Sequence, residues 1–149
     1  MSSAATLRDG GELVLWRRPG RGIFFGRHGR LTVISLEVAK VRISIEAPVS
    51  IAVSGPPRSL EEHLAIQQDR ESAPTDATVQ DLTPFDLEVG QKVWVGRSVV
   101  IEYVGPHGRS AAAFEFQAPE NCAITRDDYS HEEHLEKQAR RDASRRSDL

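Results

Sequence analysis

A chain of 149 residues with 39% hydrophobic content can bury one ordinary core or two very small ones. It has no apolar run near the ~18–20 residues of a membrane span, and its first residues, Met1-Ser-Ser-Ala-Ala-Thr6, lack a signal-peptide layout, so a cytoplasmic, membrane-free protein is expected. Cys122 is the single cysteine, which excludes an internal disulfide or a cysteine-based metal site within one chain, and the formal charge of -3 does not mark the whole chain as a nucleic-acid binder.

Charge distribution says more than the sum. Arg8, Arg17, Arg18, Arg21, Arg27 and Arg30 crowd the start against only Asp9 and Glu12. Such a cluster is either a solvated basic face or an electrostatic footprint for phosphate.

In chain order, residues 13–16, 23–25 and 31–38 read as strands, separated by Pro19-Gly20 and the 27–30 turn. Val41, Ile43 and Ile45 alternate with Arg42, Ser44 and Glu46, the period of a half-buried strand, and residues 51–53 follow Pro48 as a fifth. Ser59-x-x-Glu62 is a capping box that opens a helix at or before it. Residues 69–81 (DRESAPTDATVQD) are polar and nearly free of large apolar side chains, as a linker should be. Residues 83–87 are poor strand material because Pro84 removes a ladder donor. Residues 93–95, 99–104, 114–116 and 122–124 read as further strands. A second helix begins at the Ser130-x-x-Glu133 box, or earlier with Thr125 and Asp128 as the box.

These elements repeat. Gly20 and Gly26 recur as Gly90 and Gly96, a shift of seventy. Ala47-Pro48 recurs as Ala118-Pro119, and Ser59-x-Glu-Glu-His-Leu-x-x-Gln67 as Ser130-x-Glu-Glu-His-Leu-x-x-Gln138, both shifted by seventy-one. One residue is therefore inserted in the second copy, most simply in the turn around Gly105-Pro-His-Gly108. The expected organisation is a first repeat over residues 1–68, a linker over 69–81, and a second repeat with a basic helical tail over 82–149. Each half is mostly strand and marginal alone, so the two should share one core with pseudo-twofold symmetry.

Leu13-Val-Leu-Trp-Arg-Arg-Pro-Gly20, Gly26, Val41-Arg-Ile-Ser-Ile-Glu-Ala-Pro48 and Ile51-Ala-Val53 together resemble the carbon storage regulator (CsrA/RsmA) family. The second copy is similar through Val89-Gly90, Val93-Trp-Val-Gly96, Ala118-Pro119 and Ala123-Ile-Thr-Arg-Asp-Asp128, and the likeness covers roughly residues 13–66 and 83–138. It implies a mainly β fold with short C-terminal helices: two five-stranded repeats forming a single-chain intertwined pseudo-dimer, monomeric as a chain. It also implies a non-catalytic translational regulator that binds GGA-containing hairpins in mRNA 5′ leaders, without cofactor or metal. Each RNA site in that family joins the first strand of one subunit to the end of the fifth strand of the other, with an arginine from each.

Carried onto this chain, those arginines survive unevenly. Copy one keeps Arg17 but has Gly55 in the fifth strand; copy two has Leu87 in the first strand but keeps Arg126. Arg17 and Arg126 would meet in one site, with Leu15, Trp16, Arg18, Ile124, Thr125 and Tyr129 as its floor and rim. Leu87 and Gly55 would meet in the other, which has no cation left. Trp16 would either stack on a base or cover the core. The alternative expectation is a protein-interaction module on the same scaffold, binding a protein antagonist with little RNA affinity. His131-Glu-Glu-His134 does not match the i, i+4 spacing of a zinc-protease helix, so no metal is expected there. Arg140, Arg141, Arg145 and Arg146 form a basic tail that either adds non-specific phosphate attraction or is simply solvated.

Overall fold

The computed structural model describes residues 7–8, 12–27, 29–72, 80–119, 121–128 and 130–147. Tyr129 and residues 73–79 of the expected linker lie outside them. Among the described residues the fold is mainly β with two helices. A two-residue strand absent from the sequence reading, β1 (Leu7–Arg8), opens the first repeat. That repeat supplies β2 (Glu12–Arg17), β3 (Gly22–Phe25), β4 (Gly29–Leu36), β5 (Lys40–Pro48), β6 (Val53–Ser54) and helix α1 (Leu60–Ser72). The second supplies β7 (Gln80–Glu88), β8 (Lys92–Val95), β9 (Val99–His107), β10 (Ala111–Gln117), β11 (Ile124–Arg126) and helix α2 (His131–Ser147). The stretch expected to be linker is shorter than its composition suggests: residues 69–72 belong to α1, and β7 already begins at Gln80. Among the described residues, no helix is long and apolar enough to cross a membrane.

Both sheets are antiparallel and both mix the repeats. The first runs β1-β2-β10-β9-β8-β6 and the second β11-β3-β4-β5-β7. The central three strands of each sheet thus come from one repeat, and the flanking strands are its neighbour's first and fifth. Register fixes the exchange: Arg17 lies opposite Ala112 and Leu15 opposite Phe114, while Leu87 lies opposite Val41 and Phe85 opposite Ile43. The alternation of β2 sends Leu13, Leu15 and Arg17 inward and leaves Trp16 on the opposite face. The buried cluster therefore draws on both repeats, with Leu13, Leu15, Ile43 and Ile45 beside Leu87, Ile101, Phe114 and Phe116. Burying such an aliphatic side chain contributes about 1.5–3 kcal/mol, and here each contribution requires both halves.

The segment around Pro84 forms a full nine-residue strand, contrary to the expectation from proline alone. β7 is the outermost strand of its sheet and pairs only with β5, where Pro84 faces Ser44. An edge strand can turn its missing donor away from the ladder, and proline there also blunts further pairing.

The extra residue of the second copy lies in the β9–β10 turn. The pair Leu36–Val41 encloses residues 37–40 in the first hairpin, and the matching pair Pro106–Ala112 encloses residues 107–111 in the second, where His107 and Ala111 also pair. Each hairpin carries one bulge at the same place, between Val33 and Ser35 and between Tyr103 and Gly105, which leaves Ile34 and Val104 largely exposed.

The duplicated nine-residue motif docks each helix. Ser59 and Glu62 bond each other's backbone N–H groups, as do Ser130 and Glu133, so the helices start after these serines and Thr125 lies in β11. His63 lies over the other repeat: its Nε2 donates to the Gly96 carbonyl at 2.6 Å, which leaves Nδ1 to accept from the Ser54 hydroxyl at 2.7 Å. His134 repeats the arrangement, with Nε2 on the Gly26 carbonyl and Nδ1 on the Thr125 hydroxyl. Gly26 and Gly96 have φ of 63° and 60°, a left-handed conformation that glycine adopts without strain, and it turns these carbonyls toward the histidines. Gln67 and Gln138 accept from the N–H groups of Ala52 and Ala123 at 2.6 and 2.8 Å, holding the start of each short fifth strand.

Candidate nucleic-acid interface

The end of β2 and the end of β11, from opposite repeats, meet at an ionic cluster. Arg17 is 5% exposed, and its Nη2 reaches Asp127 at 2.6 Å and Asp128 at 3.1 Å. Arg21 bonds Asp128 at 2.6 Å, Arg30 approaches Asp127 at 3.6 Å, and Arg126 reaches Asp128 at 3.2 Å. Asp127 is further fixed by the Gly22 N–H at 2.8 Å, and the Asp127 N–H donates to the Gly22 carbonyl at 3.0 Å. Arg17 and Arg126 are thus brought onto one carboxylate, Asp128, across the seam between repeats. Four guanidinium groups face two carboxylates, so positive charge remains in surplus. The hydrogen bond from Arg21, aided by Arg17 and Arg126, holds the Asp128 carboxyl below the usual carboxylate range.

Burial divides the sequence-derived site residues. Leu15 belongs to the core, and Thr125 is buried under α2 holding His134, so neither lies open at the surface. Ile124 packs on the core from the edge strand. Trp16, on the outer face of β2, stacks on His107 with ring centroids 4.8 Å apart and planes within 8°. It covers neither the core nor the ionic cluster. Arg18 is exposed beside the cluster, and Arg126 keeps a partly exposed side chain. Arg17 is a different kind of residue from the one the sequence suggested: it is a buried tie between repeats, and its Nε has no acceptor. The Nε of Arg30 is likewise buried without an acceptor, while its guanidinium carbon lies 5.3 Å from the centroid of the Phe24 ring.

Sequence reasoning placed Arg21 and Arg30 only in a general basic cluster and gave Asp127 and Asp128 no role in the site. A signal was present: Asp127 and Asp128 occupy the positions of Pro56 and Pro57 in copy one, so the carboxylates are missing wherever the arginines are.

The pseudo-equivalent seam lacks the ionic cluster. Leu87 is fully buried where Arg17 would be, Gly55 replaces Arg126, and Val100 replaces Arg30. Phe85 fills the space beside Gly55: a Cβ built on that glycine would lie 2.6 Å from the phenyl ring. Gly55, Pro56, Pro57, Arg58, Glu62 and Phe85 line a shallow groove there. Among the described residues no cluster of three or more metal-ligating side chains occurs, and both ring nitrogens of His134 are already bonded within the protein. No protein-family model matches the chain, and neither curated proteins nor solved structures give a match.

Proposed function

We propose that this chain is a non-catalytic RNA-binding regulator of translation, a single-chain pseudo-dimer of the carbon storage regulator type that takes one GGA-containing mRNA hairpin. The observation that carries the reading is the convergence of Arg17 and Arg126, from opposite repeats, at one seam only. In this reading Arg18, Arg21, Arg30 and Arg126 present the guanidinium groups to phosphates and base planes of an unstacked loop. Arg17 acts from below, holding Asp127 and Asp128, and through them the end of β11, at the right distance from β2. The exposed face of Trp16 lies on the far side of β2 from the cluster and is not part of the contact.

A gel-shift titration tests this directly. A GGA hairpin should be retained at concentrations where the same hairpin without GGA is not. Equal retention of the two would reduce the reading to non-specific phosphate attraction, and no retention of either would favour a protein-interaction module.

A further inference from the structure

Where the ends of the first and fifth strands meet, the two seams differ, and the differences match in pairs. On the ionic seam, Arg17 of the first repeat faces Asp127 and Asp128 of the second. On the other seam, Phe85 of the second repeat faces Gly55 of the first and lines a groove with Pro56 and Pro57, while Leu87, at the position of Arg17, is buried in the core. Now consider like repeats pairing. Two first repeats would bury Arg17 against Gly55-Pro56-Pro57, with no carboxylate, and would put Leu15 where Phe85 is needed to fill the space beside the glycine. Two second repeats would set Leu87 against Asp127 with no Arg17, and would bring the Arg126 backbone and side chain into the place where Phe85 tolerates only glycine. Removing one partner of a buried ion pair is strongly unfavourable, whereas a matched apolar set is not.

We infer that the seams are a pairing code by which the first repeat accepts the second and rejects copies of itself. Charge and size act at the same place and in the same sense, so both like-with-like combinations carry two faults while the observed combination carries none. The partner surface each repeat fits is therefore the other repeat. A duplicated chain gains from this: with interchangeable repeats, two chains could join through like-with-like halves, and here that route is closed. The inference is independent of RNA binding.

The code can be reversed in the intact chain. Exchanging the residues that face the fifth strands, Leu15→Phe with Phe85→Leu, Arg17→Leu with Leu87→Arg, Arg21→Gln with Gln91→Arg and Arg30→Val with Val100→Arg, makes both seams mismatched within one chain. It makes both like-with-like seams matched between two chains. A short tether supplies an effective concentration of about a millimolar. At 100 µM protein that advantage is about tenfold, against a mismatch of about a hundredfold or more per ionic seam. The exchanged variant should therefore become a two-chain particle by light scattering and native mass spectrometry, with the parent as one chain. An exchanged variant that stays a single chain of parental stability overturns the inference.

Should that variant fail to fold, a cycle in the parent decides the matter. Arg17→Leu alone, and Asp127→Ala with Asp128→Ala, should each lower the folded-to-unfolded ratio about a hundredfold. The combined triple variant should lose far less than the product of the two. Multiplicative losses would show that Arg17 does not read the carboxylates, and the code would fall.

Discussion

His134 on α2 donates through its ring to the carbonyl of Gly26, a residue of the other repeat, and so clamps the second helix onto the first repeat's sheet. Burial is the main influence on this imidazole and pushes its pKa down, with His131 and Lys137 acting in the same direction and the Gly26 carbonyl opposing them. A histidine whose folded pKa is depressed binds fewer protons folded than unfolded once the pH falls below the unfolded value, about 6.5. The urea midpoint should thus be level above roughly pH 7 and decline as the pH falls below about 6.5, until it has passed the folded value. His134→Gln should flatten that decline while lowering the midpoint throughout. A parental midpoint that does not move over this interval would contradict the clamp. Asp128 contributes in a separate, lower window: its depressed carboxyl stabilises the fold above about pH 4 and loses that effect as pH falls through its folded value.

Gln138 offers a cleaner measure of the docking motif, since it does not titrate. Gln138→Ala strands the buried Ala123 N–H and should cost about 1–3 kcal/mol in urea denaturation. Gln67→Ala should cost a similar amount through Ala52. A neutral outcome at both sites would mean that the bonds of the repeated glutamines to Ala52 and Ala123 do not hold the helices in place.

Arg126 and Arg17 should separate binding from stability. Arg126→Ala removes a partly exposed cation and should weaken GGA-hairpin binding by roughly 1–3 kcal/mol, about five- to a hundredfold, while stability falls by under about 1 kcal/mol. Arg17→Ala removes the shortest ionic partner of Asp127, which keeps the Gly22 N–H and Arg30, and should cost about 2–3 kcal/mol of stability, with binding weakened alongside. Gel shifts and urea melts on the two variants check the split. Unchanged RNA affinity in Arg126→Ala would remove that residue from the site.

Stoichiometry follows from the unequal seams. Isothermal titration with a one-GGA hairpin should saturate at one RNA per chain, because Leu87, Gly55, Val100 and the Pro56-Pro57 pair leave the second seam without the guanidinium cluster. A two-GGA RNA should bind only about twofold better, and not the ~100-fold or more that a linked second site can supply. Two RNAs per chain would refute the unequal-seam reading.

Order and type of elements were legible because the duplication supplied two versions of each signal. Strand alternation at Val41, Ile43 and Ile45 and the two capping boxes led to β5 and to the starts of α1 and α2. Pro84 misled because its effect depends on whether a strand has one neighbour or two, and no local pattern states that. The burial of Arg17 was illegible for a related reason. It stands in phase with Leu13 and Leu15 on β2, which marks it as inward, yet the carboxylates that make inward tolerable lie about 110 residues away. Thr125 was read as an RNA contact for its place beside Arg126, whereas the alternation of β11 turns it under α2.

Strand exchange also sets a timetable for synthesis. Arg17 pairs with Ala112, and Glu12 with Gln117, so β2 has no inner neighbour until β10 has been made. At about 5–20 residues per second, the ribosome needs roughly 5–20 s to cover the interval, and during it Leu13 and Leu15 have no core to enter. β7 escapes that wait, because β5 is already complete when it emerges. The nascent first repeat is thus an open half with a sticky leading edge, and full burial of that edge comes only with β10, late in the second repeat.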